Sequence, residues 1–262
     1  MIGFIGGGNM AEAIIKGIFA KHGRDIMVSD PVDKRRTYLE ETYHIKTTHD
    51  NKEVVKNCNI IILAVKPQNM DDVTAEISDV ISKDKIIVSI AAGITLSYLS
   101  SRLKTTKIIR VMPNTPALVQ EGMSVMSMCE CIHDKEMGLI RDIFMSIGTL
   151  LALPEKYMNA VTALSGSGPA FFAYFVEAMI EGGIKAGLGK DDAATLAVQT
   201  LLGTAKLLNT GMNPAKLREM VTSPGGTTAA GLKVFEEKGF KESVITAIEA
   251  ATNRARELGG EG

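Results

Sequence analysis

Apolar residues fall into two regimes along this chain. In the first half they come in short runs separated by amphipathic stretches. Residues 2–5 (IGFI), 26–30 (IMVSD), 45–47, 60–65 (IIILAV), 86–90 (IIVSI) and 107–112 read as strands. Between them lie helical patterns at 9–21, 33–43, 51–56, 69–82 and 95–103. In the first of these, Ala11, Ile14, Ile15 and Ile18 share one face. The unbroken apolar run at 60–65 predicts a strand buried on both sheet faces. Regular strand–helix alternation predicts a mostly parallel sheet with right-handed crossovers. Further strands at 123–129 and 149–153 flank a helix at 134–146.

Strand signals stop near residue 157. Helices are predicted at 169–187, 191–209, from Asn213-Pro214 onward, at 228–238 and at 241–258. Asn213 is a good N-cap and Pro214 a good first helical residue. The chain therefore divides into an α/β domain, 1–157, and an all-α domain, 158–262. Helix 169–187 (PAFFAYFVEAMIEGGIKAG) is apolar almost all round, so it must be buried on every side. A domain of roughly a hundred residues buries a limited share of its surface. A second chain is expected to cover this helix.

Composition narrows the class. The 262 residues carry a net charge of −1, with 45% apolar and 23% charged side chains. That is ordinary for a globular protein and gives no field to attract nucleic acid or anionic lipid. No apolar run approaches a membrane span. The first strand begins at Ile2, and the chain reads as cytoplasmic. Three cysteines, Cys58, Cys129 and Cys131, fit a reducing compartment. Cys129-x-Cys131-x-His133 lacks a fourth ligand, so no metal site is expected.

The first strand runs into Gly6-Gly7-Gly8-Asn9-Met10-Ala11, which fits G-x-G-x-x-A at the opening of a helix. Gly6 permits the tight turn, Gly8 lets backbone approach a pyrophosphate, and Ala11 lets helix and sheet lie close. The helix start then offers free N–H groups to phosphates. Asp30 ends the second strand, nineteen residues after Ala11, where a ribose ligand is expected. A carboxylate there accepts bonds from a ribose 2′-hydroxyl and repels a 2′-phosphate. Lys34, Arg35 and Arg36 follow, either to receive that phosphate or as a solvated helix face. Two further strand ends, Ala64-Val65-Lys66-Pro67 and Ala91-Ala92-Gly93, place small residues or backbone where a dinucleotide would pass. Lys66 either reaches a ligand or caps its loop. These features point to NADPH or NADH without separating the two.

In the second half, Ser165-Gly166-Ser167-Gly168-Pro169 and Ser223-Pro224-Gly225-Gly226-Thr227-Thr228 each precede a helix. Both are rich in hydroxyls and N–H groups, the make-up of an anion site without a cation or of a plain glycine-rich helix cap. Residues 221–232 (VTSPGGTTAAGL) hold no charged residue and no His. Alcohol oxidation needs a general base. A β-hydroxyacid dehydrogenase would carry a lysine soon after its glycine-rich turn, yet the next lysine after Pro169 is Lys185. A sensor that binds a dinucleotide without turnover would leave the second-half loops without purpose.

Together GFIGGGNMAEAI (3–14), AVKPQ (64–68), SIAAGI (89–94), RVMPNTPALV (110–119), ALSGSGPAFF (163–172) and VTSPGGTTAAGL (221–232) resemble pyrroline-5-carboxylate reductases, in order along the whole chain. The SGSGPA and SPGGTT segments are the more specific. The resemblance implies a Rossmann-type domain followed by an all-α dimerisation domain, and often assembly to decamers. It implies reduction of Δ1-pyrroline-5-carboxylate to L-proline with NADPH or NADH, NADPH being commonly preferred. Carried over by residue, the cofactor would contact Gly6, Gly7, Gly8, Asn9, Met10, Ala11, Asn51, Ala64, Val65, Lys66, Pro67, Ala91, Ala92 and Gly93. The substrate would contact Ser223, Gly225, Gly226, Thr227 and Thr228, with Glu155 a further contact to the ring nitrogen. Asp30 departs from the hydroxyl residue that several members have there. A cyclic imine needs no base in the reductive direction, so Thr228 is expected to donate a hydrogen bond to the ring nitrogen.

Overall fold

The computed structural model describes residues 1–23, 25–129 and 134–260. Its first part alternates strand and helix: β1 (Ile2–Ile5), α1 (Asn9–His22), β2 (Ile26–Ser29), α2 (Asp33–Tyr43), β3 (Lys46–Thr48), α3 (Asn51–Asn57), β4 (Ile60–Leu63), α4 (Met70–Ile77), β5 (Ile86–Ser89), α5 (Leu96–Arg102) and β6 (Ile108–Met112). Then follow β7 (Gly122–Met128), α6 (Asp134–Met145), β8 (Gly148–Ala152) and α7 (Met158–Val161). The helical part comprises α8 (Gly168–Lys185), α9 (Lys190–Asn209), α10 (Pro214–Met220), α11 (Thr227–Glu237) and α12 (Phe240–Leu258).

The strands form one sheet in the order β3-β2-β1-β4-β5-β6-β7-β8. All pairs are parallel except β6 with β7. Strands β1, β2, β4 and β5 are buried at every position, as their unbroken apolar runs require. One sheet face packs on Ala11, Ile14, Ile15 and Ile18 of α1 and on Ile140, Ile143 and Phe144 of α6. The other packs on Val54 and Val55 of α3, Met70 and Val73 of α4 and Leu99 of α5. The strand order reverses between β1 and β4, so a crevice opens beyond their carboxyl ends.

Some boundaries differ from the sequence pattern. The helix expected over 69–82 is a 3-10 turn, Pro67–Asn69, followed by α4, which ends at Ile77. The amides of Val80 and Ile81 both turn back to the Ile77 carbonyl, and this sharp turn delivers Ile81 to the core. Residues just after 157 are not yet part of the helical unit. Met158 and Val161 of α7 pack with Val125 of β7. The compact units accordingly comprise Met1–Ser167, joined by the chain from Ala251 onward, and Gly168–Ala250. Among the described residues no helix is long and apolar enough to cross a membrane, and no cluster of His, Cys, Asp and Glu could hold a metal. Cys131 and His133 lie outside the described residues.

Within Gly168–Ala250 the apolar side chains lack cover. Along α8 only Gly168 is buried, while Phe172 and Tyr174 are 60% and 76% exposed. Leu196, Val198 and Leu202 of α9 and Val244 of α12 are also exposed. An apolar groove of about 350 Å³ runs between α8 and α12, lined by Phe171, Tyr174, Phe175, Phe240 and Val244. The single chain does not bury α8 in its own bundle. Exposed apolar area of this extent marks an interaction surface.

Candidate functional site

The glycine turn lies at the point where the sheet order reverses. Gly6 follows β1 with φ +94°, and a Cβ there would stand 2.9 Å from the Ala64 carbonyl oxygen just past β4. Only glycine fits that close, left-handed corner. Gly8 is the N-cap residue of α1, and no side chain caps the helix. Nothing lies within 4 Å of where a Gly8 Cβ would project. The first amides of α1 therefore face an open approach, with the positive end of a 14-residue helix behind them. Ala11 is buried against the sheet. This cradle fits a dinucleotide pyrophosphate, while Asn9 is exposed and Met10 half-buried at its rim.

Asp30 stands just past β2 with its carboxylate fixed by backbone. Oδ2 accepts the Gly7 amide at 2.8 Å and Oδ1 the Val32 amide at 2.9 Å. Beside it, Arg35 donates to the Gly7 and Gly8 carbonyls and to Glu12 Oε2, the last at 2.6 Å. Arg36 donates to the Asp30 carbonyl at 2.7 Å and to Asp33 Oδ1 at 2.9 Å. Glu12 also accepts from Tyr38 and Tyr43 at 2.8 and 3.1 Å. Burial by itself raises the Glu12 carboxyl. The bonds from Arg35, Tyr38 and Tyr43 outweigh it and hold the pKa below its ordinary value. Burial, reinforced by the Glu12 bond, pushes the Tyr43 phenol up to about 12.

The other strand ends complete this rim. Ser29 donates to Asn51 Oδ1 at 2.7 Å, and Asn51 Nδ2 donates to Glu76 at 2.7 Å. Asp50 caps the Lys52 amide at 2.8 Å and so fixes the start of α3. Lys66 and Pro67 are exposed past β4, with Ala64 and Val65 half-buried before them. Ala91 is buried past β5, while Ala92 and Gly93 are half-buried. The last turn of α12 packs on this segment, placing the Leu258 carbonyl oxygen 3.2 Å from where a Gly93 Cβ would stand.

Glu155 has local partners that its sequence position does not announce. Its Oε1 accepts the Leu96 amide at 2.8 Å and the buried Arg110 guanidinium at 3.1 Å. It thereby ties the start of α5 to β6 and to the end of β8. Asn114 acts similarly. It accepts the Met123 amide at 2.8 Å and donates to the Ser165 carbonyl at 3.1 Å.

The two glycine-rich segments of the second half differ in structure. Residues 162–166 form a π turn that runs almost directly into α8. Ser165 is held by Asn114, and Ser167 donates its amide and hydroxyl to the Thr162 carbonyl. This segment is therefore a wound turn whose two serines are engaged within the chain. The segment 223–228 is open. Gly225 takes φ +70°, and the Gly226 amide closes a turn on the Ser223 carbonyl at 3.0 Å. Gly226 then serves as N-cap of α11 with no side-chain cap. The first intrahelical bond runs from the Ala230 amide to the Gly226 carbonyl. The amides of Thr227, Thr228 and Ala229 are left for an external acceptor. Ser223, Gly225 and Thr227 are exposed, while Gly226 and Thr228 are half-buried.

Comparison with known proteins places this geometry in context. Residues 155–258 match the family model for pyrroline-5-carboxylate reductase dimerisation, and residues 1–93 that for NADP oxidoreductase, coenzyme F420-dependent. A pyrroline-5-carboxylate reductase from a Synechocystis strain is 41% identical over 262 residues, covering 98% of each chain. Pyrroline-5-carboxylate reductase 3 of Rattus norvegicus is 42% identical over 262 residues, covering 98% of this chain and 95% of its own. Among solved structures, a pyrroline-5-carboxylate reductase from Coxiella burnetii superposes with a TM-score of 0.91 at 36% identity, covering 98% of this chain and 97% of its own. The Plasmodium falciparum pyrroline carboxylate reductase with NADP bound gives 0.88 at 32%, with the same coverage. With an α/β sheet whose glycine turn sits at the strand-order reversal, and a helical unit matching a dimerisation model, this chain belongs to the pyrroline-5-carboxylate reductase family.

Proposed function

We propose that this chain reduces Δ1-pyrroline-5-carboxylate to L-proline, the last step of proline biosynthesis, using NADPH or NADH. The observation that carries the reading is that one chain holds two anion-suited helix starts, one in each compact unit. One is the glycine turn before α1, and the other is the uncharged start of α11. Bound in the crevice, a reduced nicotinamide would supply the hydride for the imine carbon. Gly6 to Ala11 would hold the pyrophosphate at the α1 amides, with the strand-end segments 64–67 and 91–93 lining the crevice. Asn51 and Asp30 orient the ribose end. The Thr227 to Ala229 amides hold the substrate carboxylate without a cation. Thr228 donates its hydroxyl in a hydrogen bond to the neutral ring nitrogen; once that nitrogen has taken a proton from solvent, the same oxygen accepts from the iminium N–H, and hydride addition at the adjacent carbon then gives the neutral ring amine. Ser223 and Gly225 shape the loop that presents these groups. Lys185, at the far end of α8, is no substitute for the base an alcohol dehydrogenase would need. The exposed apolar faces of α8 and α9 pair two copies, which assemble further toward a decamer, in the cytoplasm.

The test is absorbance at 340 nm on adding pyrroline-5-carboxylate to enzyme with NADH or NADPH. Oxidation of neither would sink the reading. Thr228→Ala is expected to lower kcat/KM at least tenfold, or roughly 1.4 kcal/mol of transition-state stabilisation. A loss within about threefold, under ~1 kcal/mol, would remove Thr228 from the chemistry.

A further inference from the structure

The crevice around Asp30 distinguishes between the two dinucleotides, which differ only by the 2′-phosphate. The Asp30 carboxylate cannot turn aside to admit that phosphate. Its two oxygens are held by the Gly7 and Val32 amides at 2.8 and 2.9 Å, one on the glycine turn and one at the entry to α2. Each carboxylate oxygen has a second lone pair, so acceptors remain for ribose hydroxyls. A ribose diol donates to such a carboxylate; a phosphate beside it has nothing to donate at neutral pH and is repelled.

Three cations follow Asp30 in sequence, and their engagement decides whether they offset it. Arg35 is held by Glu12 and by the Gly7 and Gly8 carbonyls. The Arg35–Glu12 pair is mostly buried, with the two side chains 22% and 21% exposed. Arg36 is held by Asp33 and the Asp30 carbonyl. Lys34 is exposed on the first turn of α2. The local set is thus Asp30, Asp33 and Glu12 against Lys34, Arg35 and Arg36, and it sums to zero. The amides at the start of α2 give no separate anion site, because Asp30 already takes the Val32 amide and Asp33 occupies the first turn. Drawing Arg35 to a phosphate would break its mostly buried pair with Glu12 and leave that carboxylate only the Tyr38 and Tyr43 hydroxyls, and drawing Arg36 would cost its bond to the Asp30 carbonyl.

We infer that the pinned Asp30 carboxylate and the two engaged arginines make this enzyme select NADH over NADPH. The inference rests on the reading that the glycine turn holds a dinucleotide. Binding without substrate tests it: NADH and NADPH are titrated into the full-length protein, followed by nicotinamide fluorescence and by calorimetry. The expected Kd for NADPH exceeds that for NADH at least tenfold at 0.05 M salt. The gap narrows at 0.5 M salt, because screening weakens charge repulsion. Asp30→Asn, which keeps an amide acceptor and removes the charge, is expected to bring the ratio below threefold, mainly by tightening NADPH. Equal or tighter NADPH binding by the wild-type protein overturns the inference and leaves the dinucleotide reading standing. If Asp30→Asn fails to fold, the wild-type ratio and its salt dependence still decide. Binding of neither nucleotide overturns both.

Discussion

Glu155 offers a test in which a substrate contact and a structural tie predict different outcomes. Its Oε1 is the shared acceptor for the Leu96 amide and the Arg110 guanidinium. Arg110 lies on β6 with its side chain 4% exposed, and Glu155 keeps 29%. Removing one partner of a fully buried pair costs about 3–5 kcal/mol, chiefly because the other charge is left uncompensated. Here the carboxylate end is open to a groove of about 460 Å³ that also borders Leu96, Met126 and Pro154. Water reaching the vacated space would satisfy part of the guanidinium and the Leu96 amide. Glu155→Ala is therefore expected to cost about 2–3 kcal/mol, below the fully buried range. Glu155→Gln keeps an acceptor and loses only the charge, so about 1–2 kcal/mol is expected.

At roughly 2–4 °C per kcal/mol for a chain of this size, the Ala variant should melt about 4–12 °C lower and the Gln variant about 2–8 °C lower. Melting is followed by circular dichroism at one fixed protomer concentration, because self-association adds concentration-dependent stability. If both variants melt with the wild type, the pair is not holding α5 to β6 and the argument fails. A collapse in kcat/KM with unchanged melting would instead return Glu155 to the substrate.

Further outcomes follow from other parts of the structure. Tyr174→Asp, on the most exposed large apolar side chain of α8, should shift sedimentation at micromolar concentration toward the monomer; an unchanged profile would place the interface elsewhere. Titration at 295 nm should show one tyrosine lagging near 12, because burial and then Glu12 hold the Tyr43 phenol up. A folded pKa above the ordinary 10.0 means that stability falls as pH climbs from 10 through about 12. Glu12→Gln should bring that component down part of the way, since burial remains; an unmoved component would rule out the Glu12 contact. Glu12 itself has a depressed folded pKa, so its stabilisation is present above the ordinary 4.5 and lost as pH falls through the folded value. The melting difference between wild type and Glu12→Gln should accordingly shrink in acid.

What the sequence reveals here depends on how locally each feature is encoded. The glycine turn is legible because Gly6, Gly8 and Ala11 do their work within six residues, directly after a strand whose burial the apolar run declares. The uncovered helix α8 is legible for a similar reason: nearly every residue on it is apolar. The position of Asp30 is legible as a strand end, but its pinning by Gly7 spans 23 residues and has no local sign. The Arg110–Glu155 and Asn114–Ser165 ties span 45 and 51 residues, and no periodicity reports them. Ser165 to Gly168 leaves two readings open in the sequence for a physical reason. Serine and glycine favour turns, yet here Asn114 and the Thr162 carbonyl absorb their polar groups and let the chain stay wound into α8.

The lack of charge in residues 221–232 then acquires a structural meaning. A lysine or arginine placed to hold a carboxylate would bring a long side chain with rotamer entropy to lose. The start of α11 offers three fixed amides and about half a positive charge without that loss. Glycine at 225 and 226 is what leaves those amides accessible. Gly225 takes φ +70°, and a Cβ on Gly226 would run into the Ser223 hydroxyl. The same economy applies to proton chemistry. An imine nitrogen is itself basic: while neutral it accepts a hydrogen bond from a hydroxyl, and once protonated it donates to the same oxygen, so a site for imine reduction needs a hydroxyl that stays put more than it needs an acid of tuned pKa. A threonine on the first turn of a helix meets that need. Its β-branched side chain is stiff, and it stands on the same first turn whose amides are left uncapped.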